Sequence, residues 1–250
     1  KKVDVSSFSE FKEALENFVD GGNIVLSNDI VLTDDENDYS IKIKNYGDVV
    51  VNLNGFDIKV NSKKTTNLFN ITGQTSIYFV SGKENRSVIH FNTVMPDAAA
   101  VKLDNKFAKF TNVNIDFTMG TASGYTKTEN GSDSCIFRVN GASELNLYKG
   151  VIKNSMEAGC GIYIAVNENN KQKLFFKMGG YTTVEADKYC VSFDPVAIRS
   201  VSFGTVRLTG LNSDKSKYAR INIPVNATLT VTELWDISSE SRVTVSVGGR

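Results

Sequence analysis

"CIFRVNGASELNLYKGVIKN", residues 135–154, sets two short alternating segments on either side of an Asn-Gly turn. In "CIFRVNG" the apolar Phe137 and Val139 flank Arg138; in "ELNLYKG" Leu145 and Leu147 flank Asn146. A period of two places apolar side chains on one face of a strand and polar ones on the other. Working outward, the same kind of segment recurs as "SIKIKN", "VVVNLNG", "LFNI", "SIYFVSG" and "VIHFN" before this stretch. "GIYIAV", "KLFFKM", "YCVSF" and "ARINI" follow it. They are short strands bounded by Asn, Gly, Ser and Asp.

Aligned on their apolar positions, the segments form a coarse repeat. One strand of each unit starts near Ile41, Leu68, Val101, Phe137, Ile162, Val191 and Ile221, at intervals of 25 to 36 residues. Self-similarity on this scale signals a solenoid or a propeller. Propeller blades need hairpin-linked antiparallel strands, and tight Asn-Gly or Asp-Gly hairpin turns are few here. A sandwich or barrel is the other alternative. Unequal intervals suit a solenoid, because extra residues can loop out at one corner of a coil. The sequence therefore predicts an all-β parallel β-helix with two or three short strands per coil. Each strand pairs with its counterpart in the next coil, and inward Ile, Val, Leu and Phe stack in columns.

One segment breaks the pattern. Ser7 followed by Glu10 fits a capping box, and Phe8, Phe11, Ala14, Leu15, Phe18 and Val19 follow the spacing of one helical face. This predicts an amphipathic helix over 7–20, stopped by Gly21. The end of a solenoid is an open sheet edge over an apolar interior, and the helix is placed to cap it.

The helix "FSEFKEALENF", a glycine turn and "NIVLSNDIVL" leading into irregular β coils resemble the start of right-handed parallel β-helix proteins. These form the pectate-lyase-like superfamily, which includes phage tailspikes and bacterial surface proteins. The resemblance covers nearly the whole chain and is one of pattern. It implies a single right-handed solenoid domain over 1–250: a capping helix at 7–20, coils over 23–250 and an inserted loop at 118–134. It also implies an extracellular, cell-surface or virion location, often facing polysaccharide. It does not imply an enzyme.

Composition narrows the partners. With 28 Lys and Arg against 28 Asp and Glu, the chain lacks the basic excess that general nucleic-acid binding needs. No apolar run approaches the length of a membrane-spanning helix, so membrane insertion is not expected. "KKVDVSSFSE" has no apolar segment behind its lysines and does not read as a signal peptide. Cys135, Cys160 and Cys190 make an odd count without a CxxC pair, which excludes a dense disulfide framework. Sequons at Asn70, Asn85, Asn130 and Asn226 carry no weight in so Asn-rich a chain.

Catalytic signatures are scarce. The NTD, paired DD, GHG and RIK motifs of polygalacturonase-like hydrolases are absent, as are the WxDH and RxPxxR elements of pectate lyases. The single His90 lies in "VIHFN" and the single Trp235 in "LWDISS". Arg138, Lys149 and Lys153 share one coil with Glu144, the residue types of a lyase, but no motif selects them. A glycosidase needs two carboxylates at a defined separation. Asp104, Asp116, Glu157, Asp194 and Asp133 are outward candidates that the sequence cannot pair. Asp34, Glu36 and Asp38 of "DDENDY" read as a solvated acidic turn rather than a calcium loop, lacking the glycine and distal glutamate of an EF-hand. "SGKENRS" lacks phosphate-loop spacing, and "GSDSC" is no nucleophile elbow. The cysteines each stand at the start of a coil's first strand. They read as an interior column of small thiols, with a metal or redox cluster as the alternative. No cofactor and no metal are expected.

Surface recognition remains. With Ile41, Val101 and Phe137 inward, Lys42, Lys102 and Arg138 project outward from one sheet, with Tyr163 nearby on the next coil. A partly basic stripe with an aromatic suits an anionic glycan. The inserted loop adds Tyr125, which could stack on a sugar. The expected function is a surface- or virion-associated β-helix that recognises polysaccharide or cell-envelope glycan, or serves as a structural module, with a homotrimer or larger assembly among its forms. The alternative is a polysaccharide lyase or glycoside hydrolase with an unrecognised site.

Overall fold

The computed structural model describes residues 1–82, 86–126, 133–165, 174–179, 182–193, 198–203, 206–210, 218–223 and 242–247, and from 193 onward it describes backbone alone. Residues 135–154 form one complete circuit of a parallel β-solenoid, through strands Cys135–Asn140, Glu144–Leu147 and Gly150–Asn154. Each of the three belongs to a different sheet. Sheet A holds Lys2–Val5, Gly22–Leu26, Gly47–Asn52, Thr75–Val80, Lys109–Asn112, Glu144–Leu147, Leu174–Met178 and Ile198–Phe203. Sheet B runs from Ile30–Leu32 through Ile58–Asn61, Val88–Thr93, Asp116–Thr121, Gly150–Asn154 and Thr182–Ala186 to Val206–Gly210. Sheet C holds Ile41–Ile43, Asn67–Ile71, Ala99–Leu103, Cys135–Asn140, Cys160–Ala165, Val191–Phe193, Tyr218–Ile223 and Arg242–Val247. Neighbours within a sheet pair in parallel, as in Val101↔Phe137 on sheet C and Phe110↔Leu145 on sheet A. The antiparallel alternatives fall with that observation. Of the C-terminal stretch, Arg242–Val247 is the edge strand of sheet C; Trp235 and its surroundings lie outside the described residues.

Side chains alternate with the pleat, so the interior fills with one continuous apolar cluster reaching all three sheets. Phenylalanines form its spine. Phe69 meets Phe79 at 5.2 Å between ring centroids, Phe79 meets Phe110 at 5.3 Å, and Phe110 meets Phe137 at 5.4 Å, all edge to face. This is the arrangement that ring quadrupoles favour. The repeat starts at Ile41, Phe69, Val101, Phe137, Ile162, Val191 and Ile221. The expected start at Leu68 is therefore corrected by one residue, to Phe69. Leu68 and Phe69 are both buried, so two adjacent apolar residues made the inward position ambiguous.

The helix spans Phe8–Glu16. Ser7 caps it by accepting from Glu10 N at 3.2 Å, while the Glu10 carboxylate reaches back to Ser6 N at 2.8 Å. Phe11 and Leu15 are fully buried in the main cluster, with the Phe11 ring 6.2 Å from Phe69. The helix ends a turn earlier than expected. Asn17 leaves helical geometry, with φ −133° and ψ 25°, and both its backbone and side-chain amides bond Glu13 O. Val19, assigned to the apolar face, lies beyond that end and is exposed. Gly21, at φ +80°, makes the turn into sheet A.

Candidate functional site

The outer face of sheet C carries the basic stripe in strict register. Lys42 pairs with Asn70, Asn70 with Lys102, Lys102 with Arg138, Arg138 with Tyr163 and Tyr163 with Ser192. Strands in a sheet are about 4.8 Å apart, so these side chains form one column along the solenoid axis at that interval. Their inward neighbours Ile41, Ile43, Val101, Leu103, Phe137 and Val139 are fully buried, which fixes the outward direction of the column. Lys42 is exposed, and Lys102, Arg138 and Tyr163 are half-buried. Lys188 pairs with Asp133 at 3.7 Å at the corner beside Arg138, and Lys12 pairs with Glu16 at 3.8 Å beside Lys42. Carboxylates border the column: Glu16 accepts from Lys42 N at 2.9 Å, Asp133 stands beside Arg138, and Asp104 follows the end of one sheet C strand.

Arg138 is the most constrained cation. Its guanidinium lies 5.3 Å from the Tyr163 ring centroid and donates through Nη2 to the Asp133 carbonyl at the end of the inserted loop. Stacking and a fixed fork leave it pre-organised, unlike the lysines. Asn70 Oδ1 and Arg138 Nε are buried with no hydrogen-bond partner. Orphaned polar atoms carry a desolvation cost of about 1–3 kcal/mol each; those of Asn23, Asn67, Ser81 and Ser87 lie off the column.

Beneath Tyr163 lies a small satellite cluster of Ala99, Cys135 and Cys160, against which Tyr163 and Tyr189 pack. Cys135 pairs with Cys160 in register, so two of the cysteines do stack. Cys190 does not join them. Ile162 pairs with Val191, which sets Cys190 opposite Gly161, in the main core, where its Sγ lies 3.5 Å from Val184 O. Burial pushes the Cys135 thiol up to about 12 and raises Cys160 as well, so both are neutral thiols that pack. Among the described residues no three of His, Cys, Asp and Glu gather as a metal site.

The remaining candidates are dispersed. Tyr125 sits at the corner between sheets B and C, hydrogen-bonded to Lys63, which itself pairs with Glu36. The inserted loop begins later than expected, since Asp116–Thr121 is a sheet B strand; residues 127–132 lie outside the described residues. The lyase-like quartet is split over three faces of one coil: Arg138 on sheet C, Glu144 on sheet A facing Lys109 at 3.5 Å, and Lys153 on sheet B facing Glu185 at 3.7 Å. Lys149 occupies the corner between the last two. Asp116 accepts from Val151 N at 2.8 Å and from Arg86, which commits it to holding coils together. Glu157 lies at the corner after Gly150–Asn154, and Asp194 is outside the described residues. In "DDENDY", Asp34 accepts from Glu36 N and from the Asn37 amide, and Asp38 accepts from Ser40. The Lys63 hydrogen bond holds the Glu36 carboxyl below its ordinary range. These acids form a self-bonded turn.

Two participants escape the sequence reading. Asn70 belongs to the column between two lysines, and the slip at Leu68 hid it. The pair Lys188–Asp133, at 3.7 Å, with Lys188 over the Tyr189 ring at 5.8 Å, closes the corner beside Arg138; only the fold brings 133 and 188 together. No helix among the described residues is long and apolar enough to cross a membrane. Fold and surface define a parallel β-solenoid with a basic outer column. Comparison with protein-family models, curated proteins and solved structures finds no match.

Proposed function

We propose that this solenoid recognises an anionic polysaccharide along the outer face of sheet C, as a surface- or virion-associated module. The observation that carries the reading is the in-register column Lys42–Asn70–Lys102–Arg138–Tyr163. Cations held in register on a rigid sheet, two strand spacings apart from Lys42 to Lys102 and one from Lys102 to Arg138, suit a polyanion. Arg138 takes a carboxylate or sulfate, the lysines supply longer-range attraction, and the Tyr163–Arg138 stack gives a flat surface for a sugar ring. The helix Phe8–Glu16 is read as the cap of the first coil, supported by its buried Phe11 and Leu15. The coils are read as right-handed, supported by the general handedness of parallel crossovers. Both features, with the pattern "FSEFKEALENF" to "NIVLSNDIVL", support kinship with the pectate-lyase-like superfamily.

Polygalacturonate and a sulfated glucan titrated into the protein at low and high salt test the reading, with dextran as the neutral control. Binding of the charged polymers that weakens with salt is expected. The triple change Lys42→Ala, Lys102→Ala and Arg138→Ala removes it while the melting temperature stays close to that of the unmodified chain. Absence of binding at low salt overturns the proposal. Release of reducing or unsaturated ends would replace a recognition module with an enzyme.

A further inference from the structure

Cys135 and Cys160 stand a full coil apart along the chain, and the fold sets them side by side. Each opens a sheet C strand, Cys135–Asn140 and Cys160–Ala165, and the two residues pair in register. Neighbouring parallel strands run about 4.8 Å apart, inside the range of roughly 4.4–6.8 Å between Cα atoms that a disulfide spans. The Cβ atoms of a disulfide are about 3.8 Å apart, so closure asks the two side chains to lean together by about 1 Å.

The backbone around the pair is held in place. Cys160 N donates to Ser134 O at 2.8 Å, and the buried Asn154 amide bridges the same corner, donating to Ser134 Oγ at 3.1 Å and to Cys160 O at 2.9 Å. Both thiols lie in the satellite cluster with Ala99, apart from the main core and under Tyr163 and Tyr189. On its other side Cys135 pairs with Ala99. Cys190 stands opposite Gly161 and packs in the main core, so neighbouring positions on the sheet put it on the other face from Cys160. The geometry thus selects one pair of the three cysteines.

Cys135 is 0% exposed and Cys160 8%, so Cys160 carries the sulfur that a small oxidant reaches first. Burial raises both thiols and keeps them un-ionised near neutral pH, which makes their oxidation slow there. We infer that Cys135 and Cys160 are an oxidation site, closing into a disulfide between adjacent coils when a peroxide supplies the oxidising equivalents. Cys160 Sγ attacks one peroxide oxygen, the O–O bond breaks, and the departing hydroxide leaves as water with the thiol proton. Cys160 is then a sulfenic acid. Cys135 Sγ attacks Cys160 Sγ, the S–O bond breaks, and a second water leaves with the Cys135 proton. Two thiols and one hydrogen peroxide thus give one disulfide and two waters, and the sulfurs lose the two electrons that the peroxide gains. The bond closes one whole circuit of the solenoid, residues 135–160, into a covalent ring. Arg138 and Tyr163 lie three residues beyond its two ends and pair in register, so the ring locks the strand pairing beneath their stack.

The inference stands apart from the polysaccharide reading, and its test needs no glycan. The reduced full chain is treated with hydrogen peroxide, alkylated in denaturant, and read by intact mass and peptide mapping. The expected product has lost two hydrogens and carries a Cys135–Cys160 link. It forms faster at about pH 9 than at about pH 7, melts roughly 5 °C above the reduced chain, and reverts with dithiothreitol. Cys160→Ser abolishes the link and the shift in melting temperature, whereas Cys190→Ser keeps both relative to its own reduced form. The inference is overturned if both thiols of the treated chain still alkylate, if the link involves Cys190 or joins two chains, or if Cys160 goes on to a sulfinic acid instead. It is equally overturned if the linked chain melts no higher than the reduced one, because the bond would then hold nothing that the coils do not already hold.

Discussion

Asn154 shows what asparagine does in this chain. It is fully buried, and its amide donates to Cys160 O at 2.9 Å and to Ser134 Oγ at 3.1 Å while its Oδ1 accepts from Met156 N at 3.0 Å. Asn45, Asn54 and Asn105 make similar corner bonds to carbonyls of Phe18, Leu26 and Thr72, each on the preceding coil. A turn between parallel strands leaves backbone groups that the sheets do not use, and a short amide satisfies donor and acceptor together. Asn154→Ala strands several of these groups at once, and urea unfolding is expected to show a loss of about 2 kcal/mol or more. His90 makes a pH-dependent counterpart on sheet B, bonded to Thr118 Oγ1. Burial, with Lys59 beside it in register, lowers its pKa, so the folded state favours neutral imidazole. The unfolded chain then takes up its proton first. Stability is lost as pH falls below the unfolded value of about 6.5 and is fully retained above it. His90→Gln should lose less melting temperature than the parent between about pH 7 and pH 5, and parallel melting curves for the two proteins would refute this role. Much at this scale was legible: Lys42, Lys102, Arg138 and Tyr163 were placed on one face by alternation alone. Asn70 was not, because a one-residue slip at adjacent apolar residues flips a strand's faces.

Among the elements, the helix Phe8–Glu16 was readable at its start and not at its end. Ser7 and Glu10 announce the N-terminus through side chains that reach local amides. The stop was placed at Gly21 because glycine is the usual terminator, yet Asn17 ends the helix by bonding Glu13 O twice, a local competition that periodicity does not register. The strands were legible because burial enforces their alternation, whereas the corners depend on contacts between coils. What the helix contributes is testable with two substitutions. Phe11 is fully buried and its ring faces Phe69, so Phe11→Asp places a carboxylate in the apolar interior at the end of the stack. Loss of the ring alone costs about 3–5 kcal/mol, and the uncompensated charge adds to it. Val19 is 76% exposed, and Val19→Asp is expected to change stability by less than about 0.5 kcal/mol. Chemical denaturation of both variants checks the pair. Equal stabilities would mean that the helix merely rests on the first coil without sealing it.

Across the whole molecule, contacts run between neighbouring coils, so stability is approximately a sum of local terms and coupling between adjacent strands. The phenylalanine spine is what couples them, because Phe110 touches Phe79 on one side and Phe137 on the other and also approaches Phe117 at 6.4 Å. Phe110→Ala removes the central ring and is expected to cost about 3–5 kcal/mol. In a globular core this would lower protection everywhere, since every slow amide exchanges through the same global unfolding. In a solenoid the damage spreads along the axis and decays. Hydrogen exchange on the variant should therefore accelerate most in Thr75–Val80, Lys109–Asn112 and Glu144–Leu147, which are adjacent in sheet A, and least in Tyr218–Ile223. The same logic bears on recognition, because a column of cations keeps its spacing only while the coils beneath it stay in register. If exchange rises uniformly from Lys2–Val5 to Tyr218–Ile223, the molecule behaves as one cooperative block. The Phe110 variant should then lose polygalacturonate binding only in proportion to the fraction unfolded. If exchange rises locally, binding at Lys102, on the same coil as the lesion, and at Arg138, on the next, should weaken before the protein melts.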